Sequence, residues 1–231
     1  MDGSTDGRSA RWEAHNTAQR LRIVEAAIAL YDAGRAGASL QEIGDRAGVA
    51  RSVVYRQFAD RRDLERAVQQ HIIDDLSAVL VPTLAPAAED TVRSALRRAA
   101  STYVGWAAAH PRLHQLADFD LDADGPLQQA LDHLAGVAAS LLVDWFAMCG
   151  AELTSADRAT TDPLAHGLVG AAFATVRRWV HLGAAVPDAD HLIELLVEST
   201  WALIDARARA FGLTLDPDVG LGAALRSRAS G

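Results

Sequence analysis

The stretch RSVVYRQFADRRDLER, from Arg51 to Arg66, gathers five arginines in a chain whose formal net charge is −8. If its first residues form a helix, Arg51, Ser52, Val53, Tyr55, Arg56 and Gln57 point outward while Val54 and Phe58 point in. These side-chain types suit a duplex. An arginine fork meets the O6 and N7 of guanine with two hydrogen bonds, and a valine can touch a thymine methyl. Serine, tyrosine and glutamine reach phosphates or base edges. Arg61 adds a further cation at the start of the next segment.

Charge distribution narrows where a polyanion could dock. Residues 1–71 carry 11 arginines against 10 acids, whereas residues 72–231 carry 11 against 20. Only the first third can approach DNA without strong repulsion. All 22 basic residues are arginine. With alanine so abundant, that usage reflects a GC-rich coding sequence more than function.

The elements that must position those side chains read as helices almost throughout. Alanine, leucine and arginine are plentiful and strand-type alternation is rare. Residues 1–15 are expected to be a disordered arm. Asn16, with Gln19 three positions on, predicts the cap of a first helix carrying Leu21, Val24, Ile28 and Tyr31, ended by Gly34 and Gly37. Ser39 and Glu42 form a second capping-box pattern, and Ile43 and Ala47 face inward from that helix. Gly48 supplies a tight turn before a third helix over about 51–57. Asp60 and Asp63 begin a fourth helix, in which Leu64, Val68 and Ile72 recur every four residues. Two short helices joined at a glycine turn make a helix-turn-helix, whose second helix enters a major groove.

Pro82 and Pro86 predict the end of the fourth helix. A fifth covers about 88–110, a short sixth begins at Pro111, and a seventh covers about 127–149. An eighth is capped by Ser155 or Thr161 and reaches about 182. A ninth follows Pro187 and Asp188 and ends near Phe211. The prediction is therefore an all-α chain of about nine helices. An N-terminal helix-turn-helix domain covers 1–72, and a larger helical domain covers 73–231.

The segment SLQEIGDRAGVARSVVYRQFADRRDL resembles the DNA-binding part of the tetracycline-repressor (TetR) family of bacterial regulators. The matching positions are Ser39, Ile43-Gly44, Ala47-Gly48-Val49, Ala50-Arg51, Val54-Tyr55, Phe58, Asp60-Arg61 and Asp63-Leu64. Gly44 stands where the family carries alanine, Val54 where it carries leucine, and Val53 where a small or hydroxylated residue is common. The resemblance covers about residues 17–72. It implies a homodimer that binds a palindromic double-stranded DNA operator and represses transcription until a small-molecule effector releases it. It also implies base reading by Arg51, Ser52, Val53 and Gln57, and mostly phosphate contacts from Ser39, Gln41, Tyr55, Arg56 and Arg61.

In the larger domain the resemblance implies dimerisation through the last two long helices and a ligand pocket. Gly167, Gly170, Ala171 and Ala174 would let another helix approach closely. Leu192, Leu196, Val197 and Trp201 are the dimer candidates on the ninth helix, burial inside the same chain being the alternative. Tyr103, Trp106, His110, Asp144, Trp145, Phe146, Met148, Phe173, Arg177 and Trp179 are pocket candidates, with plain core as the alternative. An apolar, aromatic lining points to a hydrophobic or aromatic effector.

Other chemistry finds less support. Asp120, Asp122, Asp124 and Gly125 open like a calcium loop, but its twelfth position is Leu131 rather than glutamate. His110 and His114 are four apart with Pro111 between them and no clear third ligand. No metal, cofactor or catalytic residue is therefore expected. Cys149 excludes an intrachain disulfide and fits a reducing cytoplasm. No run of 18 apolar residues suggests a membrane span, and no signal peptide is read. The reading is a cytoplasmic regulator; the alternatives are a helical small-molecule-binding protein or enzyme with a vestigial helix-turn-helix, or a protein-binding adaptor.

Overall fold

In a computed structural model of the chain, the described residues are 6–85, 87, 89–117 and 125–220. The calcium-like loop lies almost wholly outside them. Among these residues there are nine helices and no strand, only an isolated bridge pairing Thr91 with Gly220. The helices are α1 (Asp6–Asp32), α2 (Leu40–Ala47), α3 (Arg51–Gln57), α4 (Arg61–Leu84), α5 (Val92–Ala109), α6 (Pro111–Ala117), α7 (Pro126–Met148), α8 (Ser155–His181) and α9 (Ala189–Ala210). The chain divides into two compact units, Met1–Ile72 and Ile73–Gly231, and the division falls within α4.

In the first unit, Ile23, Val24, Ala27, Leu30 and Tyr31 of α1 meet Ile43 of α2, Val54 and Phe58 around α3, and Leu64, Val68 and Ile72 of α4 as buried core. The predicted stripe on α1 is displaced by about one position: Leu21 is 41% exposed and Ile23 is buried instead. The helix also begins at Asp6, so Asn16 lies inside it rather than at its cap, and the expected arm is helical from residue 6. Local sequence alone could not distinguish these outcomes, because a capping-box pattern inside a continuing helix looks the same.

The turn between α2 and α3 is built as expected. Ser39 Oγ accepts the Glu42 backbone N–H at 3.2 Å, and the Ser39 N–H donates to Glu42 Oε2 at 2.7 Å. Those Ser39 contacts hold the Glu42 carboxyl below its usual pKa. Gly48 takes the left-handed conformation at φ 67°, which a residue with a Cβ adopts only under strain. Gly44 explains its own departure from the family pattern. A Cβ there would lie 3.2 Å from both the Val49 carbonyl oxygen and Val54 Cγ2.

The second unit departs from expectation mainly at helix ends. Pro82 sits inside α4 rather than ending it. Thr91 caps α5 with Ser94, and Thr154 caps α8 with Asp157 in place of the predicted Ser155 or Thr161. Thr161 is instead fully buried and donates its hydroxyl to the Asp157 carbonyl at 3.1 Å. α9 starts at an Asp188 cap. One apolar cluster joins Tyr103, Val104 and Ala107 of α5 to Val176, Trp179 and Val180 of α8 and to Leu192, Ile193, Leu196 and Val197 of α9. Another joins Leu142, Phe146 and Cys149 to Leu168, Ile204, Ala208 and Leu213. α7 is long and apolar enough by length and composition to cross a membrane, but it packs along α8 and carries Asp132 and Asp144.

Candidate nucleic-acid interface and effector region

α3 presents Arg51, Ser52, Tyr55 and Arg56 to solvent, with Val53 half-buried beside them. Arg51 and Tyr55 form a pair: Arg51 Nη2 donates to the Tyr55 hydroxyl at 3.1 Å, and the guanidinium carbon stands 5.2 Å from the ring centroid. No acid is recorded against either, so their positive face stays available to an anion or a guanine edge.

The end of α3 is tied down by residues that sequence reasoning missed. Gln57 Nε2 donates to Asn16 Oδ1 of α1, and Arg56 Nη2 donates to Gln19 Oε1 at 3.2 Å. Arg20 donates to the Gln57 carbonyl, lies 4.1 Å over the Phe58 ring and stands 3.6 Å from Asp63. Gln57, a predicted base reader, is therefore half-buried and engaged by α1. The Asn16/Gln19 spacing was the available signal, and it had been read as a cap.

Two predicted phosphate contacts also have structural employment. Arg61 Nε pairs with Glu65 at 2.7 Å, while its two terminal nitrogens donate to the carbonyls of Ala38 at 2.8 Å and Ala36 at 2.7 Å. Its guanidinium thus clamps the segment that leads into α2. The Ser39 hydroxyl is shared with Glu42. Gln41 is exposed and donates to Asp45 Oδ1 at 2.8 Å.

The predicted pocket residues separate into two groups. Tyr103, Trp106, His110 and Phe173 gather around buried His114: the Tyr103 hydroxyl lies 2.9 Å from His114 Nε2, and the Phe173 and His114 rings stack at 5.7 Å. Trp106 contacts both His110 and His114, which puts that histidine pair in aromatic packing. Trp179 is buried in the same cluster, its indole N–H donating to the Pro187 carbonyl at 2.7 Å. Arg177 is half-buried on α8. Trp145 and Phe146 belong elsewhere, with Trp201 and Phe211. Asp144 and Met148 face solvent in the single chain. Cys149 is buried in the Phe146 cluster.

The dimer candidates divide in a similar way. Leu192, Leu196 and Val197 are buried in the chain's own core, and Trp201 is half-buried against Trp145. On α8, Gly167 and Ala174 are exposed and Gly170 is half-buried. The outward strip of α9 is Leu195, Ser199 and Leu203, both leucines being 50% exposed. Between the two strips runs an apolar groove of about 120 Å³, lined by Leu168, Ala171, Ala172, Thr175, Leu195 and Leu203 among others.

Comparison with known proteins places this geometry. Residues 23–68 match the family of bacterial regulatory proteins of the tetR type. An HTH-type transcriptional regulator of Mycobacterium tuberculosis is 24% identical over 212 residues, which cover 90% of this chain and 86% of that protein. The fold is shared with a tetR-family transcriptional regulator from Streptomyces coelicolor at TM-score 0.63 and 20% identity, over 93% of this chain and 89% of that one. It is also shared with the transcriptional regulator FadR from Bacillus subtilis, solved in complex with stearoyl-CoA, at TM-score 0.56 and 16% identity, over 78% and 96%.

Proposed function

Because this chain belongs, through residues 23–68, to the tetR family of bacterial DNA-binding transcriptional regulators, we propose that it is a homodimeric repressor released from a palindromic operator by a small molecule. The observation that carries the reading is the exposed row Arg51, Ser52, Tyr55 and Arg56 on a helix held rigidly by its capped neighbour and by α1. It stands in the one part of an acidic chain that lacks a negative excess. Arg51, Ser52 and Val53 read bases in this proposal, while Tyr55, Arg56 and Gln41 meet the backbone. Two copies set their α3 helices about 34–36 Å apart, one helical turn of DNA.

A second copy is supported by the apolar groove and by the exposed leucines of α9, whose burial would remove apolar area from water. An effector of hydrophobic or aromatic character is supported by the ring cluster around His114 and by the apolar flank of α7, where Leu134, Val137 and Leu141 are only half-buried. His114 and Tyr103 would supply the polar contacts that orient it. Such a ligand shifts the population away from the DNA-competent spacing by binding the other state more tightly. A regulator of this kind works in the cytoplasm.

The test is selection of bound fragments from the source genome, followed by titration of the recovered duplex against a scrambled one over a series of salt concentrations. Selective binding that weakens steeply with salt supports the reading. Equal weak binding to both duplexes, with no fragment enriched, would overturn it.

A further inference from the structure

α1 runs about 15 Å further toward the N-terminus than Asn16, at 1.5 Å per residue. Among the described residues, none before Ile23 is buried, so these first turns cover no core. Yet they carry Trp12, which is 68% exposed. Trp12 lies one turn before Asn16 and two before Gln19, on the same side of the helix. That side is the one that meets α3, through the bonds from Asn16 to Gln57 and from Gln19 to Arg56.

We propose that Trp12 is a DNA contact that carries the interface from the end of the recognition helix onto the sugar-phosphate backbone flanking each half-site. The inference rests on the DNA-binding reading above. Continuity supports it: about 6 Å of helix separates Trp12 from Asn16, and Asn16 is bonded to the last residue of α3. Chemistry supports it as well. An indole offers one N–H to a phosphate oxygen and a flat apolar face to deoxyribose, and it accepts no hydrogen bond that an anion would oppose. Such a contact fixes register and adds affinity without reading sequence.

The experiment compares wild type with Trp12→Ala on the genomically selected duplex and on a scrambled duplex, with a hydroxyl-radical footprint of each complex. The thermal midpoint is expected to be unchanged, because Trp12 supports no core. Affinity is expected to fall about 10-fold on both duplexes alike, a value in the range of one lost backbone or stacking contact. Footprint protection at the outer edges of the half-sites is expected to vanish. Wild-type affinity and an unaltered footprint in Trp12→Ala would overturn the proposal and leave the DNA-binding reading standing. A loss confined to the selected duplex would also overturn it, since that is sequence reading. If wild type itself enriches no fragment, both readings fail together.

Discussion

The Arg51 guanidinium donates to the Tyr55 hydroxyl at 3.1 Å and stands 5.2 Å from the centre of its ring, one helical turn away on the outward face of α3. A long side chain that would otherwise sample many rotamers is thereby held over its own helix. Ordering before binding lowers the entropy lost when the fork meets a base edge. Arg51→Ala should then cost about 1–3 kcal/mol of discrimination between base pairs. Tyr55→Phe keeps the ring and removes the oxygen, so a smaller share of that discrimination, about 0.5–1.5 kcal/mol, should go with it. Competition binding against duplexes altered one base pair at a time measures both. A Tyr55→Phe loss equal on every duplex would make Tyr55 a plain phosphate contact.

Arg61 offers a sharper contrast. The family resemblance implies a phosphate contact, whose loss would lower the salt slope by about one. Its bonds to the Ala36 and Ala38 carbonyls and to Glu65 imply a clamp on the path into α2. Arg61→Ala is expected to destabilise the first unit by about 1–3 kcal/mol, as for lost hydrogen bonds to a charged group, while the salt dependence of duplex binding stays as in wild type. Urea unfolding and a salt titration decide the matter, and a lower slope at unchanged stability would return Arg61 to the DNA.

Two leucines on α9 should behave in opposite ways. Leu203 is half exposed beside the groove, whereas Leu192 is buried in the chain's own cluster. Leu203→Arg is expected to give a monomer by light scattering with little change in helix content, because a charge cannot be buried unpaired against a second copy. Leu192→Ala is expected to lose about 2–5 kcal/mol through the cavity it leaves. A Leu203→Arg protein that still dimerises would place the dimer contact elsewhere.

Acid should loosen the approach to α5. The Arg98 fork bonds both oxygens of Asp90, at 2.8 and 2.9 Å, and the Ala87 backbone N–H adds a further bond. Together they lower the Asp90 pKa from 3.8 to about 2, with the Arg98 bonds the largest cause. A depressed carboxyl stabilises the fold above its unfolded pKa and loses that contribution as pH falls through the folded value. Thermal midpoints are therefore expected to drop between about pH 4 and pH 2 in wild type, and less steeply in Asp90→Asn. Equal slopes in the two proteins would show that the pair contributes nothing.

Much of this was legible in the chain because it depends on neighbours a few residues apart. Ser39 with Glu42 caps α2, Gly48 makes the turn, and Val54, Phe58, Leu64, Val68 and Ile72 recur with the helical period. Backbone geometry and local hydrogen bonding suffice to place such features, so the helix-turn-helix and the outward row on α3 follow from sequence alone.

The tertiary structure decided what depends on distant partners. Asn16 bonds Gln57 across 41 residues, and nothing near Asn16 distinguishes that use from a cap. Arg61 reaches back 25 residues to Ala36, which converts a surface cation into a clamp. On α9, Leu195 and Leu196 are adjacent and chemically identical, yet one is half exposed and the other is buried. Only the packing of α5 and α8 against α9 chooses between them, because an apolar helix broad enough to bury on either side carries no local mark of which side will find a neighbour.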